Sequence, residues 1–293
     1  MNFKNSWILI CGASGSIGSA LSRKISKLKP KKLLLCDQDE SGLFDIYEEL
    51  KELCKTEFII ANIRDKEKIN SIFKKYKPDL VFNCAALKHV VLCERWPDEA
   101  IKTNIEGLEN LIESAKKYKV KKFIQISSDK AANPISVMGK TKKWGEELCL
   151  KANGKTKFII VRFGNVLNSR GSLIPILKKQ IEESKPLTIT HKLMERYFMT
   201  LAESCDLILK SATMGKGGEI FVMDMGSPIK IIELARQMIR LSGKDLDIKM
   251  IGRGKGEKFK EILMTKEEQK RSKKVGNLWI IPNEKNKKSK TKN

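Results

Sequence analysis

No apolar run in this 293-residue chain approaches the ~18–20 residues that cross a bilayer. The first hydrophobic stretch, Trp7 to Cys11, is too short for a signal-peptide core. This reading excludes an integral membrane segment, disfavours secretion and leads to the expectation of a cytoplasmic protein. Histidine is nearly absent, with two residues in all, and no metal site is expected. Seven cysteines fall at 11, 36, 54, 84, 93, 149 and 205 without a Cys-x-x-Cys pair. Their odd count and wide spacing argue for reduced thiols and against a disulfide framework or a zinc site. Aromatics make up only 6%, few platforms for stacking bases. That scarcity bears on the one strong excess, 58 Lys+Arg against 35 Asp+Glu, a net charge of +23. The excess is mostly lysine spread along the whole chain, which reads as a solvated surface rather than a nucleic-acid stripe. A phosphorylated metabolite would draw on the same charge.

Hydrophobic residues at 41% and charged residues at 32% describe a globular chain long enough for one large or two modest domains. Short apolar runs at Trp7–Cys11, Lys32–Cys36, Glu57–Ile60, Asp79–Asn83, Lys122–Ser127 and Lys157–Val161 read as buried strands. Helical periodicity fills Ser16–Leu28, Glu40–Leu53, Lys66–Tyr76, Pro97–Tyr118 and Met138–Leu150. This alternation predicts an α/β fold with a Rossmann-type doubly wound parallel sheet. Beyond about residue 165 the rhythm loosens, with helices expected near Pro175–Glu183, Ala202–Ala212 and Ile231–Leu241 and strands at Leu187–Thr190 and Ile220–Met223. The expected division is a dinucleotide-binding domain over 1–165 and a smaller substrate domain over 166–283, partly interleaved with the sheet. Residues 284–293 hold five lysines and no apolar residue and read as a disordered tail.

Gly12-Ala13-Ser14-Gly15-Ser16-Ile17-Gly18 follows the first strand and opens the first helix. Gly12 permits a tight turn, Gly15 lets backbone approach a pyrophosphate, and Gly18 allows close packing of the helix. The helix start then faces phosphates with its partial positive charge. Asp37 closes the second strand, where a carboxylate can accept from adenosine ribose hydroxyls and repel a 2′-phosphate. NAD is therefore expected, with NADP as the open alternative. The Gly-x-x-Gly-x-x-Gly spacing resembles the extended short-chain dehydrogenase/reductases. Asn62-Ile63-Arg64-Asp65 resembles that superfamily's adenine-contacting segment, with Asn62 where an aspartate is usual. Ala85 and Ala86 supply small residues where backbone would pass the nicotinamide ribose.

Ser127-Ser128-Asp129-Lys130 follows the fifth strand at the carboxyl edge, where such sheets place ligands. Next comes Met138-Gly139-Lys140-Thr141-Lys142, where the superfamily has Tyr-x-x-x-Lys on one helix face. Met138 stands in the tyrosine position and cannot move a proton. Either the chain is catalytically silent or the proton work belongs to Asp129 and Lys130. The segments Ala85–Val90, Ser128–Pro134, Val137–Gly139, Arg162–Leu167, Ser169–Ser172, Ile189–His191 and Arg196–Thr200 resemble the UDP-N-acetylglucosamine 4,6-dehydratase family, in its methionine-containing branch. The resemblance runs from about residue 5 to about residue 265. It implies C4 oxidation of a UDP-sugar, C5 deprotonation with loss of water from C6, and hydride return to C6. It also implies roles: Lys130 at C5, Asp129 as the acid at C6, Ser128 hydrogen-bonding the 4-hydroxyl, Lys142 on the nicotinamide ribose. Which group takes the 4-hydroxyl proton is open, with Asp129 preferred.

For the nucleotide-sugar end, the resemblance points to Lys88, Asn165, Arg170, Arg196, Arg253 and Glu257. The family's Arg-Pro-Gly-Glu-Lys is altered here to Gly254-Lys255-Gly256-Glu257-Lys258, so Arg253 or Lys255 would have to substitute from a floppier loop. Related enzymes imply a homodimer or larger homo-oligomer, pairing helices near Pro97–Tyr118 and Met138–Leu150. A UDP-sugar 4-epimerase on the same fold and a silent nucleotide- or nucleic-acid-binding protein are the alternatives.

Overall fold

A computed structural model describes residues 3–283; the lysine-rich segment 284–293 lies outside the described residues. The first half runs β1 (Trp7–Cys11), α1 (Ser16–Ser26), β2 (Lys32–Asp37), α2 (Glu40–Leu50), β3 (Thr56–Ile60), α3 (Lys66–Tyr76) and β4 (Leu80–Asn83). It continues through α4 (Val90–Arg95), α5 (Pro97–Ile101), α6 (Gly107–Lys117), β5 (Lys122–Ile126), α7 (Val137–Ala152) and β6 (Lys157–Arg162). Next come β7 (Asn165–Val166), α8 (Leu173–Glu182), β8 (Leu187–Ile189), β9 (Glu195–Arg196), β10 (Phe198–Met199) and α9 (Leu201–Met214). The chain closes with β11 (Glu219–Met223), β12 (Ile229–Lys230), α10 (Ile231–Ser242), β13 (Ile248–Met250), α11 (Lys266–Arg271), β14 (Lys273–Val275) and β15 (Leu278–Ile281).

The main sheet has the order β14-β15-β11-β6-β5-β4-β1-β2-β3. From β3 to β11 every pairing is parallel, and β15 and β14 add antiparallel strands at one edge. The winding reverses between β1 and β4, which makes their carboxyl ends the crevice where such sheets bind ligands. Strand residues alternate between two cores because helices cover both faces. Ile8, Ile10, Leu33, Leu35 and Phe82 pack with α1, α2 and α9 on one face. Leu9, Leu34, Val81 and Phe123 pack with α3 and α6 on the other. A third core of Leu177, Leu187, Ile189, Met194, Ile231 and Ala235 belongs to α8, β8 and α10 beside the sheet.

The expected doubly wound sheet is present, and three details differ from the sequence reading. The single helix expected over Pro97–Tyr118 is α5 and α6 joined by a π-helical turn, Lys102–Glu106. The short helix α4 had no periodicity to reveal it. The hairpin of β14 and β15 returns the chain's end to the sheet, so residues from the second half complete the first half's architecture.

One buried cluster ties these layers together. Arg162, the last residue of β6, has no exposed surface. Its guanidinium donates to Glu146 on α7 at 2.6 and 3.0 Å and to Glu268 on α11 at 2.8 and 3.1 Å. A fifth bond, 3.0 Å, reaches the Leu263 carbonyl, and Ser127 donates to Glu146 at 2.6 Å. Burial works against the guanidinium's charge, but Glu146 and Glu268 reverse the effect and raise its pKa above the ordinary arginine value. Arg162→Met would leave two buried carboxylates uncompensated. Urea denaturation should show a loss of about 3–5 kcal/mol; a loss below about 1 kcal/mol would show that the cluster does not hold these layers together.

Candidate active site

At the β1–α1 turn Gly12 has φ +76°, a conformation that strains L side chains. A Cβ on Gly12 would stand 2.6 Å from the Ala85 nitrogen, and one on Gly18 would stand 1.9 Å from the Gly12 carbonyl oxygen. The turn, the start of α1 and the alanine pair after β4 are thus pressed together as only glycine allows. Gly15 caps α1 without a side-chain bond, so the helix start offers its Ser16 and Ile17 backbone to an anion. Asp37 ends β2 beside this loop. Its Oδ2 accepts from Ser14 N (2.9 Å) and Ser14 Oγ (2.6 Å), and its Oδ1 from Gln38 N (2.8 Å) and Asp39 N (3.2 Å). Asn62 donates to Gln38 Oε1 at 2.7 Å, while Ile63 is buried beneath it. A glycine cradle, an uncapped helix start and a carboxylate at the next strand's end fit a dinucleotide.

The chemical residues converge at the end of β5. Asp129 opens a 3₁₀ turn, Asp129–Ala131, and is fully buried. Its Oδ1 accepts from Ser128 Oγ at 2.9 Å and from Lys130 Nζ at 3.0 Å. Its Oδ2 is buried with no hydrogen-bond partner. Lys142, on α7, donates to the Ile126 carbonyl at 3.0 Å. Burial pulls its pKa down to about 8, against an opposing push from Cys84, Glu146 and Cys93. Met138 is 3% exposed and packs with Cys93 and Ala100, so the tyrosine position is apolar filler between helices. Asn104, within the π-helical turn, clasps Leu87 at both N (2.8 Å) and O (2.9 Å) and donates to Thr141 Oγ1 at 3.0 Å. That clasp fixes the loop carrying Ala85 and Ala86 against α7, a use of π-helical irregularity common at functional sites.

The residues assigned to the sugar nucleotide divide into two groups. Arg170 lies on the dinucleotide loop: it donates to the Ser14 carbonyl at 2.7 Å and pairs with Asp39 at 3.4 Å. Lys88 is close by, 3.5 Å from Ser169 Oγ, and burial and Arg170 lower its pKa. Asn165 is held through its backbone, donating to the Tyr197 carbonyl at 2.9 Å in the β7–β10 ladder. Arg196 is largely buried and donates to the carbonyls of Glu195 (2.8 Å) and Phe259 (3.1 Å). Arg253 stacks 5.0 Å over the Phe259 ring, and Glu257 accepts from Gly254 N at 3.0 Å. These three residues therefore shape the 252–259 loop from within. Gly256, at φ +78°, would place a Cβ 2.8 Å from Ser136 Cβ and 3.0 Å from Glu94 Oε1, so the loop packs on the start of α7.

Two further residues complete the centre. Glu261, 2% exposed, places Oε1 3.9 Å from Lys130 Nζ, and its Oε2 accepts from Lys258 at 2.8 Å. Nothing in local spacing marks Glu261. The tertiary fold alone brings it to Lys130. Among the described residues no group of three or more His, Cys, Asp or Glu side chains is arranged to hold a metal ion, and no helix is long and apolar enough to cross a membrane.

The polysaccharide biosynthesis protein family matches residues 8–283. Capsular polysaccharide biosynthesis protein CapD of Staphylococcus aureus is 46% identical over 274 residues, covering 90% of this chain and 46% of CapD. The chain thus spans about half the length of that relative. A UDP-glucose 4-epimerase of Rickettsia bellii is 38% identical over 290 residues, 96% of this chain and 84% of that protein. The X-ray structure of Pen from Bacillus thuringiensis superposes with a TM-score of 0.92 at 35% identity, covering 97% of this chain and 91% of that one.

Lys142 gives a test of how dry this centre is. Its folded pKa lies near 8 against an ordinary 10.5, so folding favours the neutral amine. The penalty on the charged form is complete below pH 8 and lifts as the pH rises towards 10.5. Urea titrations should therefore show the native chain gaining stability relative to Lys142→Met between pH 8 and 10. A difference that stays constant with pH would show that the amine is solvated.

Proposed function

Because the chain belongs to the polysaccharide biosynthesis protein family, the UDP-N-acetylglucosamine 4,6-dehydratase-like group of extended short-chain dehydrogenase/reductases, we propose that it dehydrates UDP-N-acetylglucosamine or a close relative. The product would be a UDP-linked 6-deoxy-4-keto sugar for surface polysaccharide or glycan assembly. On this proposal the chain is an enzyme of the nucleotide-sugar dehydratase/epimerase type, in keeping with its similarity to polysaccharide biosynthesis proteins and to a protein named UDP-glucose 4-epimerase. The single observation that carries the finer reading is Asp129: fully buried, with one carboxylate oxygen held by Ser128 and Lys130 and the other facing no protein partner. A buried carboxylate with a vacant acceptor costs stability, so its retention at a strand's carboxyl end points to a substrate hydroxyl.

Gly12–Gly18 and Asp37 would hold a nicotinamide dinucleotide, NAD in preference to NADP, which supplies a reversible hydride acceptor. Asp129 takes the 4-hydroxyl proton at its unpartnered oxygen and later gives it to the departing 6-hydroxyl. Ser128 keeps Asp129 oriented. Lys130 removes and restores the C5 proton. Lys142, anchored on the Ile126 carbonyl, holds the ribose end in register. Met138 fills space and excludes water.

A second reading, C4 epimerisation, is favoured by the similarity to a protein named UDP-glucose 4-epimerase. Met138, buried in the tyrosine position, counts against it because a thioether carries no proton.

Purified protein incubated with UDP-N-acetylglucosamine should yield a product lighter by one water in mass spectrometry. Asp129→Asn should lower turnover on the order of 10²-fold or more, while Met138→Ala changes it far less. A product of unchanged mass would establish epimerisation instead. No change with any UDP-hexose would overturn both readings.

A further inference from the structure

Lys130 is an ammonium between two carboxylates, Asp129 at 3.0 Å and Glu261 at 3.9 Å. An ammonium cannot take a proton from carbon, so before it acts at C5 its own proton needs an acceptor. Asp129 cannot serve at that moment, since on the reading above it already carries the 4-hydroxyl proton. Lys258 is a cation. Glu261 is the remaining carboxylate within 4 Å of Lys130 Nζ among the described residues.

The segment that carries Glu261 is anchored on both sides. Two residues before it, the Phe259 carbonyl is bound by Arg196 at 3.1 Å; two residues after it, the Leu263 carbonyl is bound by Arg162 at 3.0 Å. Lys258 occupies Oε2 at 2.8 Å, which leaves Oε1 turned to Lys130. A movement of about 1 Å by the flexible lysine chain brings the pair into hydrogen-bond range.

We propose that Glu261 is the proton-holding partner of Lys130, taking its proton so that Lys130 meets C5 as a neutral amine and returning that proton afterwards. The proposal rests on the dehydratase reading. As hydride leaves C4, the 4-hydroxyl proton passes to Asp129 Oδ2. Lys130 hands a proton to Glu261 Oε1, and the free amine takes the proton from C5. The C6–O bond breaks, Asp129 protonates the leaving hydroxyl to give water, and a C5–C6 double bond forms. Hydride returns at C6, Lys130 protonates C5, and Glu261 gives its proton back to Lys130. The three side chains end as they began. The substrate loses one water, with C4 oxidised and C6 reduced, so no outside oxidant is consumed. Lys258 opposes a protonated Glu261 and so keeps the transfer brief.

Glu261→Gln keeps the shape and the bond to Lys258 but cannot hold the proton. With UDP-N-acetylglucosamine, kcat should fall on the order of 10–100-fold with KM within about 2-fold, since proton transfer steps carry effects of this size. Substrate deuterated at C5 should show a larger kinetic isotope effect in Glu261→Gln than in the native enzyme, because C5 deprotonation becomes the slow step. Glu261→Asp, which keeps a carboxylate, should recover part of the rate. A purely structural role would lower the Tm or raise KM while leaving the isotope effect unchanged, and that result would overturn the proposal. So would a Glu261→Gln variant with native kcat and isotope effect. If the native enzyme fails to dehydrate the substrate, the underlying reading falls and this proposal falls with it; if the native enzyme turns over and Glu261→Gln matches it, only this proposal falls.

Discussion

The buried Arg162 cluster is the constraint on which the rest of this molecule depends. Ser127 adjoins the Ser128-Asp129-Lys130 turn, Glu146 lies one helical turn beyond Lys142 on α7, and Leu263 and Glu268 bracket the segment that follows Glu261. One guanidinium thus fixes three stretches of chain far apart in sequence. A buried ion cluster of this kind contributes little net stability over an apolar substitute. Its worth here is placement: it fixes the segments that carry Asp129, Lys130 and Glu261 relative to one another.

Around that anchor the site divides by chemistry. On the dinucleotide side the glycine turn forbids side chains, and the carboxylate of Asp37 is held in place by Ser14 and two backbone N–H groups. Arg170 covers the same loop and brings positive charge to the helix start. On the proton side, acids and bases alternate from Asp129 through Lys130 and Glu261 to Lys258. The missing tyrosine leaves no gap, because Met138 closes the space with Cys93 and Ala100. Beside it stands the buried carboxylate–amine pair of Asp129 and Lys130.

Much of this was legible in the sequence because it rests on local rules. Strands covered on both faces read as continuous apolar runs, as β1, β2, β4, β5 and β6 do, whereas β3, at the sheet edge, leaves Phe58 and Ile60 exposed. The glycine spacing announced a turn where backbone must approach backbone, and Asp129 and Lys130 stood at a strand's carboxyl end. What stayed hidden depends on contacts distant in sequence. Arg196 carries charge and invites a phosphate, and in the fold one of its guanidinium nitrogens also donates to two carbonyls. Arg170 sits among second-half residues but folds back on the first helix. Glu261 looks like any surface glutamate until the Arg162 and Arg196 anchors draw its segment inward. The π-helical turn around Asn104 had no sequence signal, since the stretch has ordinary helical periodicity.

The central claim is that proton work at the sugar's C5 belongs to Lys130, with no tyrosine involved. Turnover of the UDP-sugar in deuterium oxide, followed by NMR of the product, tests it most directly. The native enzyme should place deuterium at C5, and Lys130→Ala should place none while still binding the dinucleotide and the UDP-sugar. A Lys130→Ala variant that releases water and labels C5 at the native rate would contradict the account.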